Sequence, residues 1–170
     1  MILPDKFNAL VITLSDRAHA GEYEDLSGPR VKTMLDEYFK SIDWVLDSEI
    51  EILPDDVAIL RQLINESSQT YNIIITTGGT GIGPRDFTVD TVKDLLDFQI
   101  PGIMELIRVK YGMEKPNALL SRGVAGIKGK SLIYTLPGSV KAVNEYMTEI
   151  LSNLQHAIYM QYGVDVHKKH

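Results

Sequence analysis

The apolar positions of this chain switch repeatedly between two periods. Residues 7–14, FNALVITL, are apolar at nearly every position and rich in β-branched side chains, the pattern of a strand covered on both faces. In PRVKTMLDEYF, residues 29–39, Val31, Met34, Leu35, Tyr38 and Phe39 fall at i, i+3, i+4, i+7 and i+8, one face of a helix with Pro29 in its first turn. The alternation recurs. Residues 44–53 predict a second strand, and residues 55–64 a helix with acidic residues in its first turn and Ile59, Leu60, Leu63 and Ile64 on one face. Residues 72–77 predict a strand that runs into a glycine-rich loop. Thr88 then reads as the cap of a helix over 89–98, buried along Val92, Leu95 and Leu96, and a further helix begins near Pro101. Residues 131–136 predict a core strand, and Ser139 caps a long amphipathic helix through Val140, Val143, Met147, Ile150, Leu151, Leu154 and Ile158.

Strand and helix periods alternating in this way predict an α/β fold, a three-layer αβα domain with a mostly parallel sheet. With 170 residues, one domain over 1–163 is expected, followed by a polar tail, 164–170. The loop after the strand at 72–77 and the turn Pro137-Gly138 both lie where a strand ends and a helix begins. Ligands of open parallel sheets bind in the crevice outside the carboxyl ends of the strands, so the two turns are expected to face one cavity.

Composition narrows the function classes. Apolar residues at 44% and charged residues at 24% describe a globular chain. The formal charge of −6 argues against a dominant grip on nucleic acid, which needs clustered cations. Cysteine is absent, which excludes disulfides, a thiolate nucleophile, Cys-ligated zinc and iron–sulfur clusters. His19, His156, His167 and His170 show no metal-ligand spacing. The N-terminal apolar run is short, lacks a basic leader and has no small-residue cleavage site, and no run approaches a membrane span. A cytoplasmic protein is expected.

The loop TTGGTGIGPRD, residues 76–86, is where the chemistry concentrates. A Walker A loop fails because Pro84-Arg85 stands where Lys-Ser/Thr is required, and the dinucleotide fingerprint fails because Pro84 occupies its third glycine. Unhindered amides, the hydroxyls of Thr77 and Thr80 and a helix start close behind still suit an anion. By itself the loop reads equally as a tight connection that needs positive φ.

Four separated segments resolve the ambiguity. They are Ser15-Asp-Arg-Ala18 with Gly21, Tyr23, Asp25 and Gly28; Leu53-Pro-Asp55; Thr76-Thr-Gly-Gly-Thr-Gly81 with Arg85-Asp86; and Leu120-Ser-Arg122 leading to Leu136-Pro-Gly-Ser139. Together, and over nearly the whole chain, they resemble the molybdopterin adenylyltransferase family of the MogA/MoaB type. The resemblance implies a parallel α/β fold, often trimeric, that transfers AMP from ATP to the terminal phosphate of molybdopterin with Mg²⁺ and releases pyrophosphate. It implies a catalytic, metal-holding pair in Asp55 and Asp86, and nucleotide-binding turns at Thr77, Gly78, Gly79, Thr80 and Gly81 and at Pro137, Gly138 and Ser139. It implies pterin or phosphate contacts from Ser15, Asp16, Arg17, Ser121 and Arg122, and handover to a molybdate-inserting protein. No nucleic acid or membrane partner is implied.

Each of these residues has a plainer reading beside the functional one. Asp55 alone is a helix cap after Pro54, Asp86 a turn residue, Asp56 and Asp90 first-turn charges, and Asp16-Arg17 a surface ion pair. Ser139 and Lys141 read as cap and solvated charge. The chain also departs from its relatives, with Val89 where many have proline and Pro101-Gly-Ile-Met-Glu105 where PGFGE is common. A non-catalytic, MoaB-like pterin-binding protein is the alternative function.

Overall fold

The computed structural model describes residues 2–164, so the predicted tail beyond Val164 lies outside the described residues. Six strands, β1 (Phe7–Leu14), β2 (Leu46–Leu53), β3 (Ile73–Thr77), β4 (Phe98–Gln99), β5 (Ala125–Lys128) and β6 (Ser131–Leu136), form one sheet in the order β2-β1-β3-β6-β5-β4. β2, β1, β3 and β6 run parallel, and β5 pairs antiparallel with both β6 and β4. The helices are α1 (Asp16–His19), α2 (Ser27–Ser41), α3 (Val57–Ser67), α4 (Thr88–Leu95), α5 (Pro101–Glu114) and α6 (Val140–Gln161), with a 3-10 turn at Pro116–Leu120. The expected mostly parallel α/β architecture is borne out. No helix among the described residues is long and apolar enough to cross a membrane.

Alternate residues of the central strands feed two cores. Ala9 and Val11 of β1, Ile73 and Ile75 of β3, and Leu132 and Tyr134 of β6 pack with Leu35 and Phe39 of α2, Ile107 of α5 and Val143 and Ile150 of α6. Leu10, Ile12, Ile74 and Ile133 pack on the other face with Leu60 and Ile64 of α3 and Val92 of α4. Both faces are buried, which is why these strands read as unbroken apolar runs. Each fully buried Leu or Ile contributes roughly 1.5–3 kcal/mol, against about 0–1 kcal/mol for an exposed ion pair. The two cores therefore hold the fold, and the surface charges do not. At the sheet edge β2 alternates, exposing Asp47, Glu49 and Glu51, charges that oppose pairing with another chain.

Several predicted boundaries move. The second strand begins at Leu46, because the chain turns at Asp43 (φ 56°) and Trp44 stacks on Phe7, with ring centroids 4.9 Å apart. Helix α3 begins at Val57 and is capped by Asp56, whose Oδ1 accepts from Ala58 N at 2.7 Å and Ile59 N at 3.0 Å. Asp56 is thus the cap, and the Asp55 carboxylate is left outside the helix. Thr88 is not a cap but a fully buried residue inside α4, preceded by Phe87 with no side-chain cap bond. That helix stops at Leu95, where the predicted one ran to Phe98: Leu96 turns extended (φ −70°, ψ 134°), and Phe98 and Gln99 pair with Ile127 and Gly126 of β5. The apolar count over 89–98 could not distinguish a longer helix from a strand that gains partners. Ser139 does cap α6, accepting from Ala142 N at 3.2 Å.

The connections also place the functional crevices. Helices α2 and α6, which lie beyond β1 and β6, pack on one face of the sheet, whereas α4, beyond β3, packs on the other. The chain therefore diverges outside the carboxyl ends of β1 and β3, and again outside those of β3 and β6. Crevices at such divergences are where open α/β sheets take their ligands.

Candidate active site

A cavity opens at each divergence, and the two share Gly79 and Asp86. Three strand ends meet at Gly78, whose N–H donates to Leu136 O at 2.9 Å. Its φ is +102°, and a Cβ there would lie 2.6 Å from the Leu14 carbonyl oxygen. Both the backbone region and the close approach require glycine. Gly138, in the turn after β6, comes so near that its own Cβ would lie 3.5 Å from Gly78 Cα. The larger cavity, about 460 Å³, is lined by Gly79, Thr80 and Gly81 on one side and Pro137, Gly138 and Ser139 on the other. The two turns do face one cavity. Thr77 sits beneath it, its Oγ1 3.2 Å from Thr13 Oγ1, beside a small cavity of about 160 Å³ lined also by Ser15, Arg17, Tyr23 and Gly138.

The glycine loop is held from within. Asp86 Oδ2 accepts from Gly83 N at 2.7 Å, and a Cβ on Gly81 would lie 2.8 Å from that same oxygen. Arg122 binds the loop from the far side. Its Nε donates to Gly81 O at 2.7 Å, Nη2 to Asp86 O at 2.5 Å, and Nη1 to both Asp90 oxygens at 3.0 and 2.9 Å, while its backbone N–H reaches Thr80 O at 2.9 Å. Arg122, expected at pterin or phosphate, is therefore engaged with the loop, and Asp90 is its partner. Ser121 does line the larger cavity, where its Oγ accepts from the Tyr146 hydroxyl at 2.8 Å. Burial raises the Tyr146 pKa, so the phenol remains a neutral donor.

Lys115 and Lys141 complete this cavity. A hydrogen bond to Glu145 raises the pKa of Lys115 and keeps it charged. Neither Lys115 nor Tyr146 carries a motif that the sequence could offer. They arrive from the end of α5 and the second turn of α6, and only the packing brings them to the glycine loop.

The smaller cavity, about 330 Å³, is lined by Ser15, Asp16, Arg17, Asp55, Arg85 and Asp86 among others. Ser15 Oγ caps the single-turn helix α1 by accepting from Ala18 N at 3.2 Å, which fixes Asp16 and Arg17 at the end of β1. Asp16 Oδ1 accepts from Asp55 N at 2.8 Å. Asp16 thereby orients the Asp55 backbone, and its carboxylate carries the same sign of charge as a phosphate, which it would repel. Arg17 is not paired with Asp16 but lies over the Tyr23 ring, 5.6 Å from its centroid. Asp16 and Asp55 instead share Arg85, whose Nη2 donates to Asp16 Oδ2 at 2.5 Å and Asp55 Oδ2 at 2.6 Å.

The donor set suits a hard cation. Asp55 Oδ1 and Asp86 Oδ1 accept no hydrogen bond among the described residues, and oxygen ligands are what Mg²⁺ prefers. No group of three or more His, Asp or Glu side chains is arranged as a cage among the described residues. One or two carboxylates with substrate phosphates and water is the usual composition of an Mg²⁺ site, and the open oxygens of Asp55 and Asp86 are donors of that kind.

A family model described as a probable molybdopterin binding domain matches residues 10–156, which include every residue lining both cavities. The chain belongs to this family. A molybdopterin adenylyltransferase from Helicobacter pylori strain J99 is 34% identical over 155 residues, covering 90% of this chain and 86% of that protein. Gephyrin from Dictyostelium discoideum is 37% identical over 155 residues and 87% of this chain, which spans 21% of gephyrin's length. A solved structure of MogA superposes with a TM-score of 0.81 at 32% identity, covering 91% of this chain and 99% of that one. The resemblance read from the four segments is thus borne out at the level of the molybdopterin-binding family and its fold. The glycine loop is the shared wall of two cavities in this domain.

Proposed function

We propose that this molybdopterin-binding domain is a molybdopterin adenylyltransferase. The observation that carries the reading is the junction of the two cavities at Gly79 and Asp86, one of about 460 Å³ between the two turns, the other lined by Asp16, Asp55 and Asp86. In the reaction an oxygen of molybdopterin's terminal phosphate attacks the α-phosphorus of ATP. The new P–O bond forms as the bond to the β-phosphate breaks, and the electron pair leaves with pyrophosphate.

Bringing two anions together is the principal barrier, so positioning and charge neutralisation are the protein's tasks. The backbone of Gly79 to Gly81 and the amide and hydroxyl of Ser139 hold the nucleotide. Lys141 brings positive charge to the larger cavity, where Lys115 is paired with Glu145. Asp55 and Asp86 would hold Mg²⁺, which supplies neutralisation of the transferring and departing phosphates. Ser15, Arg17 and Ser121 remain candidates for pterin or phosphate contacts, each lining a cavity. The reading extends to a cytoplasmic homotrimer that passes its product to a molybdate-inserting protein. Supporting self-association, α5 exposes Leu106, Val109 and Met113, the last 84% exposed, at i, i+3 and i+7.

Purified protein should release pyrophosphate only when ATP, molybdopterin and Mg²⁺ are all present. Asp55→Asn and Asp86→Asn should each lower kcat by about 10²–10³-fold, the scale on which a lost electrostatic group at a reacting phosphate acts. Undiminished turnover in both variants would sink the mechanism. Tight pterin binding with no pyrophosphate under any divalent metal would favour the non-catalytic binder.

A further inference from the structure

Arg85 projects from the glycine loop into the smaller cavity, next to Asp86 in sequence. A single nitrogen, Nη2, bridges the carboxylates of Asp16 and Asp55 at 2.5 and 2.6 Å. Three carboxylates, Asp16, Asp55 and Asp86, line that cavity, and like charges so placed repel unless a cation lies among them. Arg17, the other cation of the cavity, is turned over Tyr23. Arg85 therefore supplies the counter-charge between Asp16 and Asp55. Its side chain is 69% exposed, so the bridge is weak and exchangeable, as exposed ion pairs are.

We infer that Arg85 is a stand-in cation: without substrate it occupies the carboxylate that a divalent metal needs, and it leaves for the phosphates when metal and nucleotide arrive together. A guanidinium on Asp55 Oδ2 offsets the negative charge that a metal on the open Oδ1 would draw on, and so competes with it for that carboxylate. Once displaced, it is a fork of donors beside an incoming triphosphate, and guanidinium pairs with phosphate at least as well as with carboxylate. Metal and nucleotide then bind interdependently, because each removes a cost that the other would meet alone. Arg85 is a positioning residue in this account. The inference rests on the proposed assignment of Asp55 to the metal.

The test is Mn²⁺ binding to the full chain, followed by electron paramagnetic resonance with and without ATP, for the wild type, Arg85→Gln and Arg85→Lys. Arg85→Gln should bind Mn²⁺ about tenfold more tightly in the absence of ATP, within the range of ordinary site-to-site coupling. Its gain in Mn²⁺ affinity on adding ATP should shrink correspondingly. Arg85→Lys, which keeps the charge but loses the planar fork, should lie between. In the double variant Asp55→Asn, Arg85→Gln the tighter binding should disappear. Unchanged or weaker Mn²⁺ affinity in Arg85→Gln, with circular dichroism matching the wild type, overturns the inference. The outcome is separable from the proposed activity: tighter Mn²⁺ binding without pyrophosphate release retains the stand-in and rejects adenylyl transfer, and turnover with Mn²⁺ affinity unmoved does the reverse.

Discussion

The two cavities are built from opposite materials. The larger is walled by the turn after β6, the 3-10 turn and α6, where Lys115 and Lys141 face Glu145 and Asp86 among Ser121, Tyr146 and a largely small or apolar remainder. The smaller is walled by the ends of β1 and β2 and holds three carboxylates and two arginines. A surface of the first kind can recognise a large ligand, and a surface of the second kind can manage developing charge. Binding energy realised at one site is useful for catalysis only if it positions the atoms that react at the other. Gly79 and Asp86 belong to both cavities, so the glycine loop is the part that couples recognition to charge.

Outside the proposed metal-holding pair, damage to that shared wall should have the largest effect. Arg122→Ala removes the donors to Gly81 O, Asp86 O and Asp90, leaving part-buried carbonyls to find water. Stability should fall by about 1–3 kcal/mol, as for lost partners of part-buried polar groups. Turnover should fall by roughly 10²-fold, since a displacement of about 1 Å in a positioning element has that effect. Arg122→Lys should rescue little, because the three donors of a single ammonium nitrogen cannot span the four acceptor atoms set around a planar fork. Kinetics and Mn²⁺ binding measured on the same samples check it: if both cavities work normally in Arg122→Ala, they do not depend on a common wall.

Much of this arrangement is legible in the sequence. Phe7–Leu14, Ile73–Thr77 and Ser131–Leu136 announce themselves as buried strands because both their faces are covered, and the turns after the last two follow from topology. Asp55 and Asp86, which line the smaller cavity, both lie within the four matching segments. What sequence could not supply was the identity of partners. Asp56 rather than Asp55 caps α3, a choice made by one residue of backbone register. Arg122 matches a family segment, yet which acceptors its guanidinium meets depends on a loop 36 to 41 residues away. β4 and β5, with two and four residues, are too short to show a period, and Arg85 was visible only as part of a motif.

An intermediate effect should follow from a change confined to the larger cavity. Ser139→Ala removes the cap that accepts from Ala142 N, which costs about 1 kcal/mol. For a chain of this length that lowers Tm by roughly 2–4 °C. ATP affinity should weaken while Mn²⁺ binding to the substrate-free protein stays at its wild-type value, since Ser139 lines only the larger cavity. Equal losses in both measurements would mean that the cavities are one site.

The smallest effect should come from an ion pair outside both cavities. Glu149 Oε1 joins α6 to α5, accepting from Lys110 Nζ at 2.7 Å and the Tyr111 hydroxyl at 2.9 Å. The bond from Lys110, aided by that from Tyr111, lowers the Glu149 pKa, while burial, together with the bond to Glu149, pushes Tyr111 up to about 12. Tyr111 therefore stays a neutral donor at physiological pH. A carboxylate with a depressed folded pKa contributes stability that is complete above its unfolded value, about 4.3, and is lost as pH falls through the folded value. Lys110 is half exposed, so the contribution should be about 1 kcal/mol or less. Urea titrations of wild type and Glu149→Gln should thus differ most at neutral pH and converge as the solution is acidified below about pH 4. Kinetic constants and Mn²⁺ affinity at neutral pH should not change, because Glu149 lines neither cavity. A change in KM without a change in Mn²⁺ affinity would instead show that the α5–α6 contact sets the width of the larger cavity through Lys115 and Tyr146.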